Sequence, residues 1–154
     1  MSNPTLQFGV DALFDLSDSE LELELGRRLT ETREELREGK ADLSAAQPAG
    51  PTPDREQLMS LPSFVRDVAQ RFLKDFDHQI YSLICDPNDE DGKQLRLAAD
   101  QGARALGYAL GGAFIATFGW LPGIATVIAV ILARRIAKST YTAFCGAYKE
   151  RLGG

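Results

Sequence analysis

Apolar residues return at helical spacing along most of this chain. Leu21, Leu25, Leu29 and Leu36 share one stripe of a helix predicted over 18–38. Ser17 and Glu20 stand at the S-x-x-E spacing of a capping box, with Leu16 and Leu21 placed to staple the entry. Acidic residues crowd its first turns, where the helix dipole favours them, and Gly39 is a natural stop. Together, 17–40 make an acidic amphipathic unit. A second stripe, Leu58, Leu61, Val65, Val68, Phe72, Phe76, Ile80 and Leu83, predicts another amphipathic helix over 54–85, starting near Asp54 or at Pro62. Residues 41–53, rich in Ala and Pro, read as the linker between the two. The weakly patterned 1–16 segment is expected to tuck onto the body.

The pattern changes after the acidic turn at 86–92. Two further helices, about 93–120 and 122–152, contain a block of 29 residues, Ala105 to Ala133, without a single charge. Leu121-Pro122-Gly123 divides it, and Pro122 suits the first turn of a helix. Small residues form a row at alternating steps of four and three: Ala98, Gly102, Ala105, Ala109, Gly112, Ala116, Gly119 and Gly123. Such a row lets a second helix approach closely. The other side carries Leu106, Leu110, Phe114, Phe118 and Leu121, with Trp120 beside the break; these residues face either a core or a membrane. The second arm has its own small row, Ala125, Ala129, Ala133 and Ala137. The two rows are expected to meet in an antiparallel hairpin over 92–152. The expected fold is therefore all-α, one domain, a four-helix array with a C-terminal apolar hairpin packed through small residues.

The hairpin suits a bilayer only in part. Its first arm gives 17 uncharged residues, 105–121, or about 25 Å of helix, against a hydrocarbon core of about 30 Å. The second gives 12 before Arg134 and Arg135, about 18 Å. A basic flank of Arg134, Arg135 and Lys138 follows, and by the positive-inside rule it stays cytoplasmic. A shallow hairpin leaves both flanks on that side; a single span would export the acidic half.

Charge sharpens this asymmetry. Residues 1–60 hold six basic against thirteen acidic residues, net −7, whereas 101–154 hold six against one, net +5. The acidic front half argues against nucleic acid as its partner, since phosphate contacts need clustered Lys and Arg, and none is expected. The basic tail favours anionic lipid head groups.

Candidate chemistry is sparse. Cys85 and Cys145 lie in helical patterns without metal-ligand spacing, and with one histidine, His78, a zinc site is not expected. The opening residues show no secretory signal, so free thiols in a reducing cytoplasm are expected. The acidic turn fails the calcium-loop pattern, because the sixth residue from Asp86 is Asp91 and the twelfth Leu97; Asp91 is expected to cap the next helix. No nucleotide-binding or metalloprotease motif is present, and no cofactor, metal or small-molecule substrate is expected. The terminal Arg151-Leu152-Gly153-Gly154 resembles the end of ubiquitin-like modifiers, which implies conjugation through the last glycine, although no β-grasp pattern precedes it. In physical terms alone, an apolar hairpin under amphipathic helices is similar to pore-forming toxin domains.

The sequence thus leads to a non-enzymatic, cytoplasmic protein whose hairpin associates conditionally with membrane lipids, in the manner of an effector. A partner, cleavage or assembly would release it. The alternative is a soluble interaction or scaffold protein that buries the same helices in its own core or a homo-oligomer.

Overall fold

The computed structural model describes residues 4–38, 63–86 and 90–153. Among them lie eight helices and no strand: α1 (Pro4–Leu13), α2 (Asp18–Glu38), α3 (Ser63–Asp75), α4 (Asp77–Cys85), α5 (Glu90–Asp100), α6 (Ala103–Phe118), α7 (Pro122–Ala137) and α8 (Tyr141–Gly153). The all-α array and the α6–α7 hairpin match the expectation. The linker at 41–53 lies outside the described residues, as does the start expected for the second helix.

The expected helices are subdivided, each for a local reason. Residues 1–16 contain α1, whose Val10 and Leu13 are fully buried. The amphipathic stretch ending at Cys85 breaks at Phe76, which leaves helical geometry at φ −106°, ψ 8°. Gly102, at φ +121°, separates α5 from α6, a conformation L side chains rarely adopt. The last helix stops near Lys138, and Thr140 starts another: its Oγ1 accepts from the Ala143 N–H at 3.0 Å, an N-cap for α8. The capping box at the start of α2 forms as read. Ser17 N–H donates to Glu20 Oε1 at 2.8 Å, and Glu20 N–H to Ser17 Oγ at 3.2 Å. Asp91 does not cap α5, which already begins at Glu90.

α7 is the central element. Residues 123–133 are buried without exception, as is Ile136. Around α7 pack α6, α2, α1 and α8. α2 crosses α3 closely because Gly26 has no side chain; a Cβ there would stand 1.9 Å from the Val65 carbonyl oxygen.

One expectation fails outright. Cys85 and Cys145 are joined in a disulfide that ties α4 to α8 across a separation of 60 residues. Spacing along the chain carried no sign of it, because the two sulfurs meet only through the packing of α8. The inference of a reducing compartment loses its ground with the free thiols.

Candidate functional site

The hairpin turns on three residues. Gly119 takes the left-handed conformation, φ +68°, and its N–H bonds the Ile115 carbonyl, closing α6. Leu121 is extended, and Pro122 opens α7 at a position needing no N–H donor. Here the aromatic side chains gather. Trp120 packs on Phe114, Phe118, Phe72 and Phe76 with ring centroids 4.8–5.4 Å away, so α3 and the α3–α4 joint cover the tip.

The large apolar residues read as core or membrane-facing all belong to the core here. Leu106, Leu110 and Phe114 are fully buried, while Phe118, Trp120 and Leu121 are half-buried against the cluster. The small-residue row is placed differently. Gly123 is buried; Ala98, Ala105, Ala109 and Gly112 are half-buried; Gly102, Ala116 and Gly119 are exposed. A Cβ at Gly112 would meet nothing within 4 Å, so no helix approaches closely there. The close approach on α6 is instead at Gly107, where a Cβ would come 3.1 Å from Val10 and 3.2 Å from Phe14 of the α1 end. On α7, Ala125, Ala129 and Ala133 are fully buried, and Ala137 is exposed.

The basic flank is occupied. Lys138 Nζ reaches Asp18 Oδ2 at 2.5 Å, Arg134 lies 3.6 Å from the same carboxylate and donates to the Leu16 carbonyl, and Arg135 lies 3.8 Å from Glu22. Hydrogen bonding from Lys138, together with the nearby cations, holds the Asp18 carboxyl below its ordinary pKa. Thus the acidic start of α2 covers this flank.

A second link between α2 and α7 is buried. Glu24 is fully enclosed and Arg28 is 6% exposed. Arg28 Nη1 donates to the Gly123 carbonyl at 2.8 Å, in the first turn of α7. Glu24 Oε1 accepts from Arg27 at 2.5 Å and stands 3.6 Å from Arg28 Nε. Glu24 Oε2 and Arg28 Nε have no hydrogen-bond partner. Burial pushes the Arg28 pKa down to about 10, so the guanidinium stays charged at neutral pH. A buried pair of this kind is a costly device, better suited to fixing one register than to adding stability.

No family model, curated protein or solved structure matches the chain. Among the described residues, no group of three or more His, Cys, Asp or Glu side chains is placed to hold a metal ion. His78 is exposed, and Gly153 ends α8 with Gly154 outside the described residues. Among the described residues, no helix is long and apolar enough to cross a membrane. The Arg28 link and the acid clamp on the flank escaped the sequence reading. Their signal was the run of Glu and Arg on α2, whose acidic residues were read as helix-dipole chemistry and whose arginines as a partner-docking face.

Proposed function

We propose that this is a non-enzymatic, effector-like helical protein that holds an apolar hairpin sheathed and associates with membranes when the sheath opens. The observation that carries this reading is the double cover that α2 provides for α7. Its apolar face lies on the most fully buried helix, while Asp18 and Glu22 pair with Arg134, Arg135 and Lys138. Moving α2 away would release an apolar surface and a basic flank together, the combination that binds anionic lipid. Each arm is 16 residues, about 24 Å, so insertion would be shallow. The aromatic tip, with Phe118 and Trp120, suits the interfacial region where such rings settle.

The test is flotation with anionic vesicles, using the intact chain and the chain cleaved within 41–53. Cleavage is expected to move the protein into the vesicle fraction. If neither form floats, the proposal fails. A second reading, a helical interaction protein with α7 as its permanent core, is favoured by the burial of 123–133 within one chain. Discrete particles in detergent-free sedimentation, indifferent to cleavage, would support it.

A further inference from the structure

α8 is the most lightly held of the helices on α7. It lies chiefly along α4 and α7, and Thr142, Ala143, Gly146, Ala147, Lys149 and Glu150 are exposed. Its inward contacts are partly aromatic, Tyr148 packing on Tyr81 with ring centroids 5.8 Å apart, and partly polar. Tyr141 donates to the Ile84 carbonyl, and Tyr148 to Asp77 Oδ1 at 2.9 Å. Arg151 reaches the same carboxylate at 3.4 Å and lies over the Tyr148 ring. Between it and α7 a half-open pocket of about 200 Å³ is lined by Arg135, Phe144, Ala147, Tyr148 and Arg151. Packing under α8 is therefore loose. The firm attachment is covalent: Cys145, one turn into α8, is bonded to Cys85 at the end of α4, with 5.7 Å between their Cα atoms.

We propose that the Cys85–Cys145 bond is a latch opened by a dithiol reductant, which frees α8 from α4 and uncovers the Leu132–Ile136 end of α7. Cys145 is half-buried and Cys85 only 6% exposed, so the entering thiolate attacks Cys145 Sγ. The S–S bond breaks, Cys85 leaves as a thiolate and takes up a proton, and a mixed disulfide forms on Cys145. The second thiolate of the reductant then displaces Cys145, which is protonated in turn. Two electrons pass, the reductant ends as a disulfide, and the protein ends as a dithiol. The latch is closed in an oxidising compartment and opens on arrival in a reducing one. Its consequence, vesicle binding, rests on the membrane-associating reading above; the opening of α8 does not.

The experiment uses the full chain, oxidised or treated with dithiothreitol, in two arms. Hydrogen exchange over 141–153 is expected to quicken about tenfold or more on reduction while 124–133 stays slow. Unchanged exchange over 141–153 overturns the latch. The Cys85→Ser/Cys145→Ser variant should match the reduced chain, and if it folds poorly, the return of slow exchange on reoxidation serves in its place; failure of that return also overturns the proposal. In the second arm, reduced protein is expected to float with phosphatidylglycerol vesicles and oxidised protein to stay behind. If reduced protein does not float but protein cleaved within 41–53 does, the latch does not gate the hairpin and this inference alone fails. If neither floats, the membrane reading itself is overturned.

Discussion

α6 and α7 are equal in length at 16 residues and adjacent in the same uncharged block, yet the fold treats them differently. α7 is buried on every side over 123–133. α6 buries Leu106, Gly107, Leu110, Gly111 and Phe114 and turns Ala116 and Thr117 to the outside. Composition explains the choice. α7 carries Ile124, Val127, Ile128, Val130, Ile131 and Leu132 around its circumference, so any outward face would expose large side chains. α6 interleaves its large residues with Gly and Ala, and its outward face exposes little apolar area. A lack of charge therefore marks neither a membrane span nor a central helix; the bulk around the whole circumference does.

The contrast extends to how each arm is tied down. Arg28 reaches α7 from inside the core, whereas on α6 Arg104 meets Asp11 at 3.0 Å with both side chains about half exposed. Arg28→Met would leave Glu24 short of a buried cation and is expected to cost about 3–5 kcal/mol, whereas Arg104→Ala should cost under about 1 kcal/mol. Pairing Arg28→Met with Glu24→Leu should restore most of the loss, since apolar replacement of a buried pair is often neutral. Urea melts of the four proteins check this, and equal costs for the two single variants would break the comparison.

Ile128 and Ile115 offer the same test with one side chain. Ile128 is fully buried on α7 and Ile115 half-buried on α6. Ile128→Ala is expected to cost about 2–5 kcal/mol and Ile115→Ala clearly less. Glycine sharpens the contrast within α6. Gly112→Ala meets open space and should gain up to about 1 kcal/mol from helix propensity. At Gly107, the new methyl must push Val10 and Phe14, which should cancel or reverse that gain. Thermal melts that rank Gly107→Ala above Gly112→Ala would place the close packing on the wrong face.

The smallest effect is the acid clamp. The folded carboxyl of Asp18 titrates below its ordinary value of 3.8, chiefly through Lys138. A depressed carboxyl stabilises the fold above its unfolded pKa and loses that contribution as pH falls through the folded value. Asp18→Asn should therefore melt slightly below wild type at neutral pH, and the difference should shrink as the pH falls below 3.8. A gap that persists in acid would mean that Asp18 acts through something other than its charge.

Much of the fold was legible locally. The capping box at Ser17, the stop and restart at Gly119 to Pro122, and the all-helical spacing each depend on residues a few positions apart. The face of α6 that turns inward was not legible, because both of its faces are apolar and periodicity says nothing between them. Gly102 was counted as a small packing residue when its role is the positive φ that ends α5. Thr140 is an ordinary N-cap overlooked inside an apparently continuous helix. The disulfide, the Arg28 link and the clamp on the basic flank join residues 60 to 120 positions apart, and such meetings follow only from tertiary packing.

Trp120, the only tryptophan in the chain, stands at the hairpin tip and reports directly on the central claim. Its emission should be read with anionic vesicles whose acyl chains carry bromine, before and after cleavage within 41–53. A sheathed hairpin predicts no quenching in the intact chain and strong quenching with a blue shift once α2 is released. Emission unaffected by vesicles in both states, with the cleaved protein still folded, would show that α6 and α7 are a permanent core and contradict the account.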